Sequence, residues 1–248
     1  MMAGGLLSIS WSRWCTYAAA IIVVFSASAA AKSPYAAVLI PYEDGIITDG
    51  GELMAAQAAL TLSTFHALAP PYGRLLFALS RGLPLGWQVE ELYPGHTLNA
   101  LLKRELHAGS VAVLQDARVA PHLPRLLRVA AARGIRLLVY TTLDPDWVAG
   151  QLAERKIDLP LIETPPIQAQ PAVFPPVERV RAELEITPSR LLLIGSSKHA
   201  CVTAGIHGMD FVSLGALPEA PVVDDPPCRV LRRLRSLDEL SQMLSKSR

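Results

Sequence analysis

The chain has 248 residues, with 23 basic and 22 acidic side chains and a formal net charge of +1; without a basic stripe it offers no electrostatic footprint for nucleic acid. Hydrophobic residues make up 51% and mean hydropathy is +0.30, which points to a membrane segment, a large apolar interface, or both. The three cysteines, Cys15, Cys201 and Cys228, have no CxxC spacing and no metal-ligand pattern. Cys201 and Cys228 are candidates to pair, but packed, unpaired thiols are the expectation.

The first feature is "WCTYAAAIIVVFSASAAA", residues 14–31, with Arg13 before it, Lys32 after it and no acidic residue before Glu43. It reads either as a secretory signal peptide, because small residues suited to cleavage follow a short apolar core, or as a retained transmembrane helix. At 1.5 Å per residue it gives roughly 27 Å, just enough for a bilayer core of about 30 Å. Trp11, Trp14 and Tyr17 suit an interfacial aromatic belt. The retained anchor, residues 1–34, is the preferred reading. It carries a single-pass membrane placement, with the mitochondrial inner membrane favoured over a plastid or the secretory route.

Beyond Lys32, apolar runs alternate with amphipathic stretches. "AAVLI" (36–40) reads as a buried strand, and residues 51–68, 73–83 and 96–109 read as helices. "LPRLLRVAAARG" (123–134) is an amphipathic helix ending on a glycine, followed by the strand "IRLLVYTT" (135–142). Asp144 before Pro145 is an N-cap, and Trp147 is core or interface. A helix "PPVERVRAELEI" precedes two more strands, "RLLLIGSS" (190–197) and "DFVSLG" (210–215). Near-continuous apolar strands alternating with helices imply an α/β fold with a parallel sheet covered on both faces. The proline-rich stretch 163–176 reads as a loop at the ligand end of the sheet, and the chain after Pro226 as a basic, peripheral tail.

Three stretches resemble one known family. "VLIPYEDGIITDGGEL" (38–53) is similar to the opening motif of the haloacid dehalogenase (HAD) superfamily, a strand running into Asp-x-Asp-Gly-x-x-x-Asp-Ser. "APHLPRLLRVAAARGIRLLVYTT" resembles the helix, glycine turn and strand of its second motif, and "ITPSRLLLIGSSKHACVTAGIHGMDFVSL" its last motif region. The resemblance implies a Rossmann-like core over residues 35–50 and 110–225, a helical cap at 51–109 and a tail at 226–248, with the site at the carboxyl ends of the strands.

Carried over residue by residue, the family's nucleophilic aspartate falls on Tyr42, and a phenol cannot form an aspartyl-phosphate. Its acid/base aspartate falls on Asp44, followed by the expected Gly45; moving the register to place Glu43 as nucleophile would break that match, so Glu43 is rejected. The second motif's hydroxyl falls on Thr141, the third motif's lysine near Gln170, and the fourth motif's two aspartates on Ser196 and Ala200. With positioned positive charge central to phosphoryl transfer, the resemblance implies no intact catalytic set, no metal and no cofactor; Asp44 is left to brace its loop. Ser196, Ser197 and Lys198, beside His199, open a helix where an anion would find free N–H groups, but a serine cap is the preferred reading.

The expectation is therefore a HAD-like pseudoenzyme with an N-terminal transmembrane helix, acting as an accessory or structural subunit of a membrane protein complex. Its partners would be other subunits and, through residues 14–31, the lipid bilayer. Candidate contact regions are "PPYGRLLFALSRGLPLGW" (70–87) and the loop from Thr164 to Pro176. The alternatives are a divergent HAD phosphatase or hydrolase, and a module that binds an anionic or phosphorylated ligand without turning it over.

Overall fold

The computed structural model describes residues 33–66, 70–80, 82–162, 175, 177–215 and 229–246. Five strands, β1 (Ala37–Pro41), β2 (Arg136–Tyr140), β3 (Leu191–Gly195), β4 (Asp210–Leu214) and β5 (Val230–Leu234), form one sheet in the order β2-β1-β3-β4-β5, with every pairing parallel. β1 and β3 are buried along their whole length, as their unbroken apolar sequences require. Val38 and Ile40 join a core cluster with Leu192, Ile194 and Val212. The intervening Ala37 and Leu39 join a second cluster with Leu191, Leu193 and Phe211. The two clusters are the two faces of a sheet with a side-chain period of two, so helices cover both sides.

After β1 the chain makes a wide turn, Tyr42–Ile46, closed by the Ile47 N–H donating to the Tyr42 carbonyl at 3.0 Å, an i→i+5 bond that fits one more residue than an α-turn. Ile47 then pairs with Val119 in an isolated antiparallel bridge. Thr48 N–H donates to the Arg118 carbonyl and Ala120 N–H to the Ile46 carbonyl, each at 2.8 Å. These two paired linkers carry the cap: α1 (Gly50–His66), α2 (Pro70–Ser80), α3 (Leu85–Leu92) and α4 (Asn99–Gln115). The Arg155 guanidinium clasps the end of α4, donating to the carbonyls of Leu114 at 3.1 Å, Gln115 at 2.8 Å and Ala117 at 2.5 Å. These are the orphan acceptors that a helix C-terminus leaves.

The core helices are α5 (Leu123–Arg133), α6 (Pro145–Glu154), α7 (Val177–Leu184), α8 (Lys198–His207) and α9 (Leu237–Lys246). α5 ends at Gly134 as the sequence expects, and Asp144 caps α6, accepting from the N–H groups of Asp146 at 2.9 Å and Trp147 at 3.0 Å. α3 has no counterpart in the sequence reading. The stretch read as a peripheral tail supplies both β5 and α9: Leu234, Leu237, Leu240 and Leu244 are buried, and Arg125 on α5 pairs with Asp238. In the 70–87 stretch, Phe77, Leu83, Leu85 and Trp87 turn inward, while Tyr72 is exposed. Cys201, expected as an unpaired thiol, is corrected: it is disulfide-bonded.

The structure gives no support to the transmembrane helix. Among the described residues no helix is long and apolar enough to cross a membrane; residues 14–31, on which that reading rested, lie outside the described residues.

Candidate functional site

In an open sheet of order 2-1-3-4-5, the crevice lies at the carboxyl ends of β1 and β3, where the strand order reverses. Here the turn after β1 and the turn after β3 meet there: Ser196 donates a hydrogen bond to Asp44 across the crevice. The turn after β2 closes the third side.

Glu43 is the centre of this arrangement. The residue is 3% exposed. Oε1 accepts from the Thr141 hydroxyl, from the Thr142 N–H at 2.7 Å and from the Thr142 hydroxyl at 3.1 Å. Thr141 also accepts from the Leu143 N–H at 3.0 Å, which fixes the turn that presents these donors. Burying a carboxylate costs several kcal/mol unless donors surround it, and three donors on one oxygen supply that compensation. Burial still raises its pKa, against the lowering effect of the Thr141 and backbone hydrogen bonds and alongside a smaller raising effect of the Asp44 charge.

Tyr42 does not face the crevice. It is fully buried, and its ring meets Trp147 edge-to-face with centroids 6.1 Å apart. Its hydroxyl has no hydrogen-bond partner among the described residues. Burial pushes this phenol up to about 12, against the nearby Arg155 charge. The wide turn thus sends the aromatic side chain into the core and the neighbouring carboxylate into the site. Letter-by-letter alignment assigned these two roles the other way round. A signal was present in the sequence: a large aromatic beside apolar runs needs a core, and a Thr141-Thr142 pair at a strand end supplies carboxylate donors.

The remaining positions divide clearly. Ser197 caps α8, accepting from the Ala200 N–H at 3.2 Å, which agrees with the capping reading. Ala200 is buried and serves packing: a Cβ on Gly195 would lie 2.9 Å from the Ala200 methyl. His199 faces Glu91 at 3.8 Å, and Lys198 is exposed. Gln170 lies outside the described residues. Thr141, Asp44 and Ser196 are brought together with Glu43; Tyr42 and Ala200 are not.

A cavity of about 30 Å³ sits over the crevice, lined by Glu43, Asp44, Thr142 and Ser196 from the core and by Met54, Phe77 and Gln88 from the cap. That is room for about two water molecules. The cap presses close at Gly82, whose φ of +97° and position allow no side chain: an added Cβ would lie 2.0 Å from the Ser197 hydroxyl. With the cap in this position little room is left beyond those waters.

A hard dication does not fit these residues. Among the described residues no group of three or more His, Cys, Asp or Glu could hold a metal ion. The two carboxylates present are met by Thr141, Thr142 and Ser196, whereas magnesium requires near-octahedral oxygen ligation. A dianion brought to about 4 Å from either carboxylate would meet about 4 kcal/mol of repulsion per charge pair at an effective dielectric of about 20.

The architecture defines a capped, Rossmann-like α/β protein with a strand-end carboxylate site, and the comparisons give this class its name. No family model and no curated protein matches the chain, but solved structures do. CbbY from Rhodobacter sphaeroides, in complex with phosphate, matches at 19% identity over 83% of this chain and 96% of its own, with a TM-score of 0.60. A predicted phosphatase from Clostridium acetobutylicum matches at 17% identity over 85% and 98%, with a TM-score of 0.63. L-2-haloacid dehalogenase from Xanthobacter autotrophicus matches at 13% identity over 86% and 100%, with a TM-score of 0.56. The fold is that of the HAD-like hydrolases.

These neighbours correct two expectations. The reading as a non-enzyme, a pseudoenzyme subunit of a mitochondrial membrane complex, is overturned by a fold shared throughout with proteins named as phosphatases and a dehalogenase. The single-pass membrane localisation is overturned by the same neighbours, together with the lack of a membrane-crossing helix among the described residues.

Proposed function

We propose that this protein is a divergent hydrolase of the HAD fold whose working carboxylate is Glu43. The observation that carries the reading is the Glu43 carboxylate itself: buried, held on one oxygen by three donors, and lining the cavity under the cap at the switch point of the sheet. A carboxylate whose pKa is raised by burial takes up a proton more readily than a free one, which suits proton transfer. Asp44, held by Ser196, lies beside it and orients the water or leaving group. The phosphatase names among the structural neighbours favour a narrower second reading, hydrolysis of phosphate esters.

The test is hydrolysis of a panel of aryl phosphates, carboxylic esters and haloalkanoates by the full chain and by Glu43→Gln. Turnover of one class, reduced about 10²- to 10⁴-fold in the variant as expected for loss of a general base, supports the reading. Turnover of none, or turnover equal in the two proteins, defeats it.

A further inference from the structure

The polar groups around the cavity are already engaged with one another. Thr142 is spent on Glu43 and Ser196 on Asp44, while the Ser197 oxygen accepts from the α8 backbone. Gln88 donates to the Leu83 carbonyl at 2.6 Å, and Tyr140 donates to the Ile194 carbonyl at 2.7 Å. A ligand therefore meets two carboxylates, the Ser197 hydroxyl and the apolar walls of Met54 and Phe77. The nearby charged groups do not change this balance. Arg155 clasps the end of α4, and His199 faces Glu91. Among the described residues lining the cavity none is cationic.

Resting on the hydrolase reading above, we propose that the site takes an uncharged carbonyl electrophile, a carboxylic ester with a small acyl group, rather than a phosphate dianion. An uncharged ester adds no repulsion to a wall bearing Glu43 and Asp44, and its apolar acyl group matches Met54 and Phe77. Glu43 takes a proton from a water molecule as the water oxygen bonds to the ester carbonyl carbon. The carbonyl–alkoxy bond then breaks, and the departing alkoxide takes the proton back from Glu43. Ester and water become acid and alcohol, and no co-reactant is needed. The narrow cavity under Gly82 limits the acyl group to a few carbons.

The experiment compares 4-nitrophenyl acetate with 4-nitrophenyl phosphate, with magnesium present and absent, on the full chain, on Glu43→Gln and on Thr142→Val. The expected result is kcat/KM for the acetate at least about 100-fold above the phosphate, lost in Glu43→Gln. Thr142→Val removes one hydroxyl donor from the carboxylate and should move the acidic limb of the pH–rate profile to higher pH, because that donor favours the charged form. This profile also serves if Glu43→Gln fails to fold. Phosphate hydrolysis that exceeds the ester and depends on Glu43 overturns the substrate class while leaving the hydrolase reading intact. Acetate turnover unchanged in Glu43→Gln, or an acidic limb unmoved in Thr142→Val, overturns the proposal. Turnover of neither substrate overturns it, and the hydrolase reading falls with it only if haloalkanoates are not turned over either.

Discussion

Replacing Glu43 separates what its carboxylate does for stability from what it does for chemistry. Glu43→Ala removes the acceptor from three donors. Two are hydroxyls that turn elsewhere, but the Thr142 N–H cannot, and an unsatisfied buried donor costs about 1–3 kcal/mol. The one methylene lost adds about 0.8 kcal/mol. The sum is about 3 kcal/mol, a Tm drop of roughly 6–12 °C for a domain of this size. Glu43→Gln keeps the methylenes and the acceptor oxygen but carries no charge to desolvate. Because burial raises the folded pKa above the usual glutamate value, the native state binds the proton more tightly than the unfolded chain. The wild type is therefore most stable below the unfolded pKa and loses stability as pH rises through the folded one. Glu43→Gln has no such loss. Its Tm should exceed the wild type's at pH 8 by a few degrees, on the order of 1 kcal/mol, and the gap should close as the pH is lowered toward 5. Thermal unfolding followed by circular dichroism across that range reads this directly. A glutamine variant that falls with the alanine one, or a gap that does not change with pH, would refute the account of Glu43 as a desolvated, donor-held carboxylate.

Tyr42→Phe removes a buried hydroxyl without a described partner; stability should hold or rise by up to about 1 kcal/mol in urea unfolding, and the rate of hydrolysis should not change, whereas a large loss of rate would return Tyr42 to the site. Arg155→Met strips the clasp from the end of α4 and should lower stability by about 1.5–3 kcal/mol, seen as a lower urea midpoint at unchanged slope. Gly82→Ala meets both a positive φ and the Ser197 hydroxyl; it should cost about 1 kcal/mol or more and speed proteolytic cleavage between α2 and α3, and an unaltered cleavage rate would argue against cap contact at that point.

The sheet was readable because its strands are uninterrupted apolar runs, and β1, β2, β3 and β4 fall where those runs lie. β5 was missed because "VLRRL" has an exposed, cationic middle, an edge-strand pattern that reads as tail when taken without its partner β4. α3 was missed because "LGWQVEEL" follows Pro84 and lacks a side-chain cap. The site was half legible. Asp44, Thr141 and Ser196 were placed by motif order, but motif order cannot say which way a side chain points out of a turn. Adding a residue to that turn swapped Tyr42 and Glu43, and only the tertiary demands of a phenol ring and a carboxylate decide between them. The disulfide at Cys201 left no mark in spacing.

The paired linkers bear on the order in which the chain folds. β1 is complete early, but its first neighbour, β2, lies about a hundred residues downstream, Val38 meeting Leu137. At a synthesis rate of about 5–20 residues per second, the apolar β1 would wait roughly 5–20 s for its partner on the ribosome. During that interval α1 to α4 can form from local contacts, and the hydrogen bonds of Thr48 to Arg118 and Ala120 to Ile46 draw the two ends of the insert together. Closing that loop first turns a distant pairing into a nearby one, since β1 and β2 then need only extend from an already joined base. The helical insert that later covers the cavity would thus first act as the scaffold that brings the two central strands into register.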